Sequence, residues 1–149
     1  MAPKTGSLID RVTGDLQAVI LLAGKVRPSP LSARIGRSIL DLPLDAERSL
    51  LDLWCQEVSD LSRALGAGPL SMRVVVDQSG HMPTRAHLPD PAGVRLVVER
   101  DPNEYRGTAG LIKDLASVYP DSGLVLVGSA IQLPLEPLSC DPGQEVVED

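Results

Sequence analysis

Six apolar residues, Ala18-Val19-Ile20-Leu21-Leu22-Ala23, run directly into Gly24-Lys25-Val26-Arg27-Pro28-Ser29-Pro30-Leu31. A buried strand that ends on a glycine followed by cationic side chains suits a polyphosphate, because backbone N–H groups and fixed positive charge both face the ligand. Phosphate-cradling loops usually carry more than one glycine, so close backbone approach rests here on Gly24 alone. Two later segments could complete such a site: Arg106-Gly107-Thr108-Ala109-Gly110-Leu111, and Val127-Gly128-Ser129-Ala130 at the end of another apolar run. Thr108 also precedes an apolar-periodic stretch, so it suits a helix N-cap as well. His81 and His87 lie in a proline-rich loop without further ligands nearby, and they read as surface residues rather than a metal pair.

The elements that position these residues follow from hydrophobic period. Residues 17–23 form a continuous apolar run of strand length, as expected of a central strand buried on both faces of a parallel sheet. Prolines and glycines in residues 24–45 prevent any long regular element there and predict an extended loop, a place where function often resides. Ser49-Leu50-Leu51-Asp52 has the form of a capping box, and Leu50, Trp54, Val58, Leu61 and Leu65 then recur at helical spacing before Gly66. Residues 71–77 and 94–99 read as valine-rich strands. Residues 108–119 carry Leu111, Ile112, Leu115 and Val118 on one helical face, and residues 123–128 read as a second buried strand. Alternating strands and helices imply a Rossmann-like, mostly parallel sheet in a three-layer α/β sandwich with right-handed crossovers. Ligands of such sheets sit beyond the carboxyl ends of the strands, which would gather residues 24–31, 100–110 and 128–133 around one crevice.

Composition narrows the function. The chain has 149 residues, 43% hydrophobic and 23% charged, which suits one compact domain with a sizeable core. With one Trp, two Tyr and no Phe the core must be aliphatic, and base stacking on aromatic side chains is not expected. A net charge of −6 argues against a nucleic-acid backbone as partner, so any anion site must be local. Cys55 and Cys140 lack metal or disulfide spacing and read as free thiols. The short apolar runs predict neither a signal peptide nor a membrane span, and hence a cytoplasmic protein without a membrane partner. Residues 1–16 read as a flexible lead-in, residues 17–138 as the folded domain, and residues 139–149 as an acidic, solvated tail.

The stretch from Gln17 to Leu138 resembles the sugar-1-phosphate nucleotidyltransferases, or sugar-nucleotide pyrophosphorylases, as a truncated and degenerate N-terminal part. Their first strand leads into L-A-G-G-x-G-T-R-L-x-P-L, or A-A-G-K-G-T-R-M in some branches. Leu22-Ala23-Gly24-Lys25-Val26-Arg27 matches it at Gly24, Lys25 and Arg27 but has Val26 in place of the Gly-Thr pair. Arg37 in Gly36-Arg37-Ser38-Ile39-Leu40 stands where the family's P-K-x-L-L lysine falls, keeping the charge while changing its geometry. Gly107-Thr108-Ala109-Gly110-Leu111 is similar to the family's G-T-A-G-A-L turn against the base. Glu99 and Asp101 lie just upstream, at a different spacing from the base-contacting Gln or Glu of relatives.

The resemblance implies a nucleotidyltransferase fold and transfer of a nucleotidyl group from a nucleoside triphosphate to a sugar 1-phosphate. In that reading Arg27 and Arg37 neutralise phosphates, while Ala23, Gly24 and Lys25 hold the triphosphate and Gly107 and Thr108 seat the base. It also implies Mg²⁺, which relatives bind with an aspartate at the position of Ser129. A neutral hydroxyl is a poor substitute for a carboxylate toward that hard cation. The expectation is therefore a weak or inactive catalyst when alone. The alternatives are a non-catalytic nucleotide-binding or protein-interaction module, including a homo-oligomer, or a gene fragment.

Overall fold

A computed structural model describes residues 14–23, 30–66, 68–102 and 107–133. The expected lead-in before residue 14, the acidic tail and Cys140 lie outside the described residues. The strands are β1 (Leu16–Leu22), β2 (Leu70–Val76), β3 (Val94–Arg100) and β4 (Leu124–Ser129). The helices are α1 (Pro30–Ile35), α2 (Leu50–Ala64) and α3 (Gly107–Ala116), with single 3-10 turns at Ile39–Asp41 and Thr84–His87. All strand pairs are parallel, in the order β3-β2-β1-β4. This is an α/β fold built on a four-stranded parallel sheet. Among the described residues no helix is long and apolar enough to cross a membrane.

β1 lies inside the sheet, as its uninterrupted apolar run predicts, and Ala18 through Leu21 are buried. Successive side chains of a strand point to opposite faces. Val19 and Leu21 therefore meet α2 in a large cluster with Leu51, Trp54, Val58, Met72 and Val74, while Ile20 turns to Val75 and Leu115 of α3. The two longer helices thus pack on opposite faces. No helix joins β2 to β3; this crossover runs through residues 77–93 with one 3-10 turn.

α2 forms for local reasons. The Ser49 hydroxyl accepts from the Asp52 N–H at 3.3 Å, and the Ser49 N–H donates to the Asp52 carboxylate at 2.9 Å, which closes the expected capping box. Gly66 follows at φ +61°, a left-handed position that suits glycine at a helix end. Leu50, Trp54, Val58, Leu61 and Leu65 are all buried, as the spacing requires.

Two expectations change. β4 is apolar but not buried: it occupies the edge of the sheet, where Leu124 is 44% and Leu126 40% exposed. An apolar run records side-chain type; burial depends on whether another strand lies alongside. α3 ends at Ala116 rather than continuing to Tyr119, so Val118 falls in a turn and is 68% exposed. Leu111, Leu115 and Tyr119 still reach the second cluster.

Candidate functional site

The order β3-β2-β1-β4 places successive strands on one side of β1 and then returns to add β4 on the other. The reversal lies between β1 and β4. In open parallel sheets this is where adjacent loops diverge and leave a crevice at the carboxyl ends.

The carboxyl edge is held in register beyond the strands themselves. The Ala23 N–H donates to the Val75 carbonyl at 2.8 Å, the Ala130 N–H to the Leu22 carbonyl at 3.0 Å, and the Asp101 N–H to the Val76 carbonyl at 2.8 Å. A buried bond then fixes the exit of β4: the Trp54 indole Nε1–H donates to the Ala130 carbonyl at 3.0 Å. α2 thereby anchors the end of the strand that carries Ser129, across 76 residues of sequence.

Of the residues singled out from the sequence, Ala23 is half-buried directly after β1, and Ser129 is half-buried at the last position of β4, in register with Leu22. These two flank the switch point. Gly24, Lys25 and Arg27, which carry the phosphate reading, lie outside the described residues. Gly107 and Thr108 are exposed at the start of α3. Gly107 has φ +67°, and a Cβ built there would meet open space. Its conformation requires glycine, while Thr108 stands inside the first turn rather than before it, so the N-cap alternative does not hold.

Arg37 lines an open groove of about 400 Å³ with Asp41, Asp45, Arg48, Thr84 and Arg85. The groove mixes charges, and its carboxylates serve the fold. Asp41 accepts from the Thr84 N–H at 2.9 Å and the Thr84 hydroxyl at 3.2 Å, tying the two 3-10 turns together. Asp52 faces Arg85 at 3.4 Å in addition to capping α2. Asp45 accepts from the Glu47 and Arg48 N–H groups and from the Arg48 guanidinium, which hold its carboxyl below the usual range.

Sequence reasoning passes over Trp54, Asp41 and Asp77 as contributors to this end of the molecule. Trp54 was legible only as a core residue, and Asp41 and Thr84 are 43 positions apart with no local signature. Asp77 follows β2 directly, and its Oδ1 is buried with no hydrogen-bond partner among the described residues. Arg100 closes the adjacent turn by donating to the Gln78 carbonyl at 3.0 Å and to the Gly80 carbonyl.

Among the described residues, the chemistry available at the switch point is that of neutral groups: the Ser129 hydroxyl and backbone N–H groups. Magnesium requires hard anionic oxygens, and the residue at the end of β4 does not supply one. Among the described residues no three His, Cys, Asp or Glu side chains gather as a metal-binding set. Comparison of the chain with protein-family models, with curated proteins and with solved structures gives no match.

Proposed function

We propose that this chain is a nucleotidyltransferase-like domain of three-layer α/β form that binds a nucleoside triphosphate at the crevice between β1 and β4, and that it is weak or inactive as a catalyst on its own. The observation that carries the reading is the reversal of strand order at β1, with Ala23, directly after β1, on one side of the crevice and Ser129 standing on the other. A glycine-led basic loop at that place suits phosphates, because backbone N–H groups and the Lys25 and Arg27 charges act together there. The left-handed Gly107, with open space on its Cβ side, suits close approach of a flat base to the start of α3.

The same site argues against turnover. Transfer of a nucleotidyl group to a sugar 1-phosphate builds negative charge at the α-phosphate, and Mg²⁺ supplies the stabilisation in the enzymes that this chain resembles. Ser129 does not fit that ion. The chain's own contribution is limited to neutralising charge through Arg27, orienting phosphates through backbone N–H groups around Gly24, and seating the base at Gly107 and Thr108. Arg37, which lines the groove with Asp41 and Arg48, would add a further positive charge for the phosphates. A non-catalytic nucleotide-binding module is the second reading, favoured by Ser129 itself.

Calorimetric titration with each common nucleoside triphosphate tests the reading. We expect binding that survives removal of divalent metal with chelator and is abolished by Arg27→Ala combined with Lys25→Ala, the variant's circular dichroism being unchanged. Absence of binding by folded wild-type protein would overturn it. Magnesium-dependent release of pyrophosphate from a triphosphate and glucose 1-phosphate would overturn the assignment of inactivity.

A further inference from the structure

The two edges of the sheet differ in a way that fold formation does not require. β3 carries Arg95, Glu99 and Arg100, and charged side chains are a common means of keeping an edge from pairing with another chain. β4 reads Leu-Val-Leu-Val-Gly-Ser, without charge or proline. Among the described residues no strand lies on its outer side, and Leu124, Leu126 and Val127 are 44%, 40% and 37% exposed. Such an edge is open to strand addition.

The backbone determines which groups are offered. The Ala130 N–H donates to the Leu22 carbonyl at 3.0 Å, so the even-numbered residues of β4 direct their N–H and C=O groups toward β1. Alternate residues of a parallel ladder bond to opposite sides. Val125, Val127 and Ser129 therefore present theirs outward.

We infer that β4 pairs antiparallel with β4 of a second copy of this chain, about a two-fold axis at Leu126, to give a continuous eight-stranded sheet. About this axis Val125 and Val127 of the second copy form a hydrogen-bonded pair, as their outward groups require, and the two Leu126 residues face each other as a non-hydrogen-bonded pair. On the α2 side Leu124 lies opposite Gly128 of the second copy, where no side chain competes for space, with the leucine pair between. On the α3 side valine meets valine. All three half-exposed residues are covered, and each copy presents the same strip, as a two-fold interface demands. Shifting the axis to Val127 would leave Leu124 opposite Ala130, beyond the strand, and set Val125 against Ser129. The chain's own end is a poorer occupant: after Leu133 it carries Pro134, Pro137 and Pro142, and proline cannot donate to a ladder.

Sedimentation equilibrium of the 149-residue chain decides between a dimer and a monomer. We expect an average mass that rises with concentration toward twice that of one chain, and an association weakened about tenfold or more by Leu126→Lys, which sets like charges directly opposite. The register is read by oxidative cross-linking in a Cys140→Ser background, with Cys55 buried. Residues facing each other in a non-hydrogen-bonded pair have Cα atoms about 4.5 Å apart, within disulfide reach. Leu126→Cys should therefore cross-link and Val127→Cys should not. Wild-type protein that stays monomeric at every concentration would overturn the proposal, whether the edge is then covered by the chain's own ends or reserved for a strand of another protein. Cross-linking through Val127→Cys in place of Leu126→Cys would overturn it equally.

Discussion

Cys55 shows how a single residue takes its chemistry from its surroundings. It lies on the core side of α2 at 3% exposure, and burial pushes its thiol from 9.0 up to about 11, with Arg85 drawing it down and Asp52 and Asp90 raising it further. The folded protein thus holds this proton more tightly than the unfolded chain. Below pH 9 both states keep it and the stabilising contribution is complete; between pH 9 and about 11 the unfolded chain ionises alone and the contribution is lost. Urea midpoints measured across that window should fall more steeply for wild type than for Cys55→Ala, and parallel slopes would count against the assignment. At neutral pH the thiol is protonated and enclosed, so Cys55 acts as a small core residue rather than a nucleophile. Ser129 is the converse case. Its type was legible as a hydroxyl in place of a carboxylate, while its position beside Leu22 at the switch point came from strand pairing.

Among the elements, α2 organises the fold. It supplies Leu50, Leu51, Trp54, Cys55, Val58 and Leu61 to the larger core and anchors the exit of β4 through the Trp54 indole. Its start depends on the reciprocal bonds between Ser49 and Asp52. Ser49→Ala should lower stability by about 0.5–2 kcal/mol, read as a lower urea midpoint with an unchanged slope. This helix was readable because its cap, its period and its terminating glycine all lie within one segment. α3 was readable as a helix but not in its length, since the break after Ala116 follows from Tyr119 turning back onto Leu115, Ile20 and Val75. β4 was readable as a strand but not as an edge.

At the scale of the whole molecule the two faces of the sheet are unequally filled. Among the described residues, sixteen buried ones form the cluster under α2, against three under α3. The α3 side is supplemented by polar contacts: Arg73 pairs with Glu99 at 2.7 Å, donates to the Tyr119 hydroxyl at 3.2 Å, and lies over the Tyr119 ring. Partly exposed ion pairs add little compared with apolar burial. α3 should therefore open independently of the rest. In native-state hydrogen exchange its amides should exchange through a sub-global opening, well before those of β1, β2 and α2, whose exchange should follow global unfolding. Equal protection across both helices would contradict this ranking.

Amino-acid order alone determined the local features of this protein: the kind of each main element, the cap and buried face of α2, and the aliphatic core. These rest on neighbours a few residues apart, whose spacing is printed in the chain itself. Tertiary structure alone decided that β1 lies inside the sheet between β2 and β4, that β4 is an edge, that Asp41 ties to Thr84, and that Trp54 holds Ala130. The physical reason is that a hydrophobic pattern states which side chains avoid water but not what they meet. The partner, and with it the difference between a buried strand and an exposed apolar edge, is set only when distant segments pack.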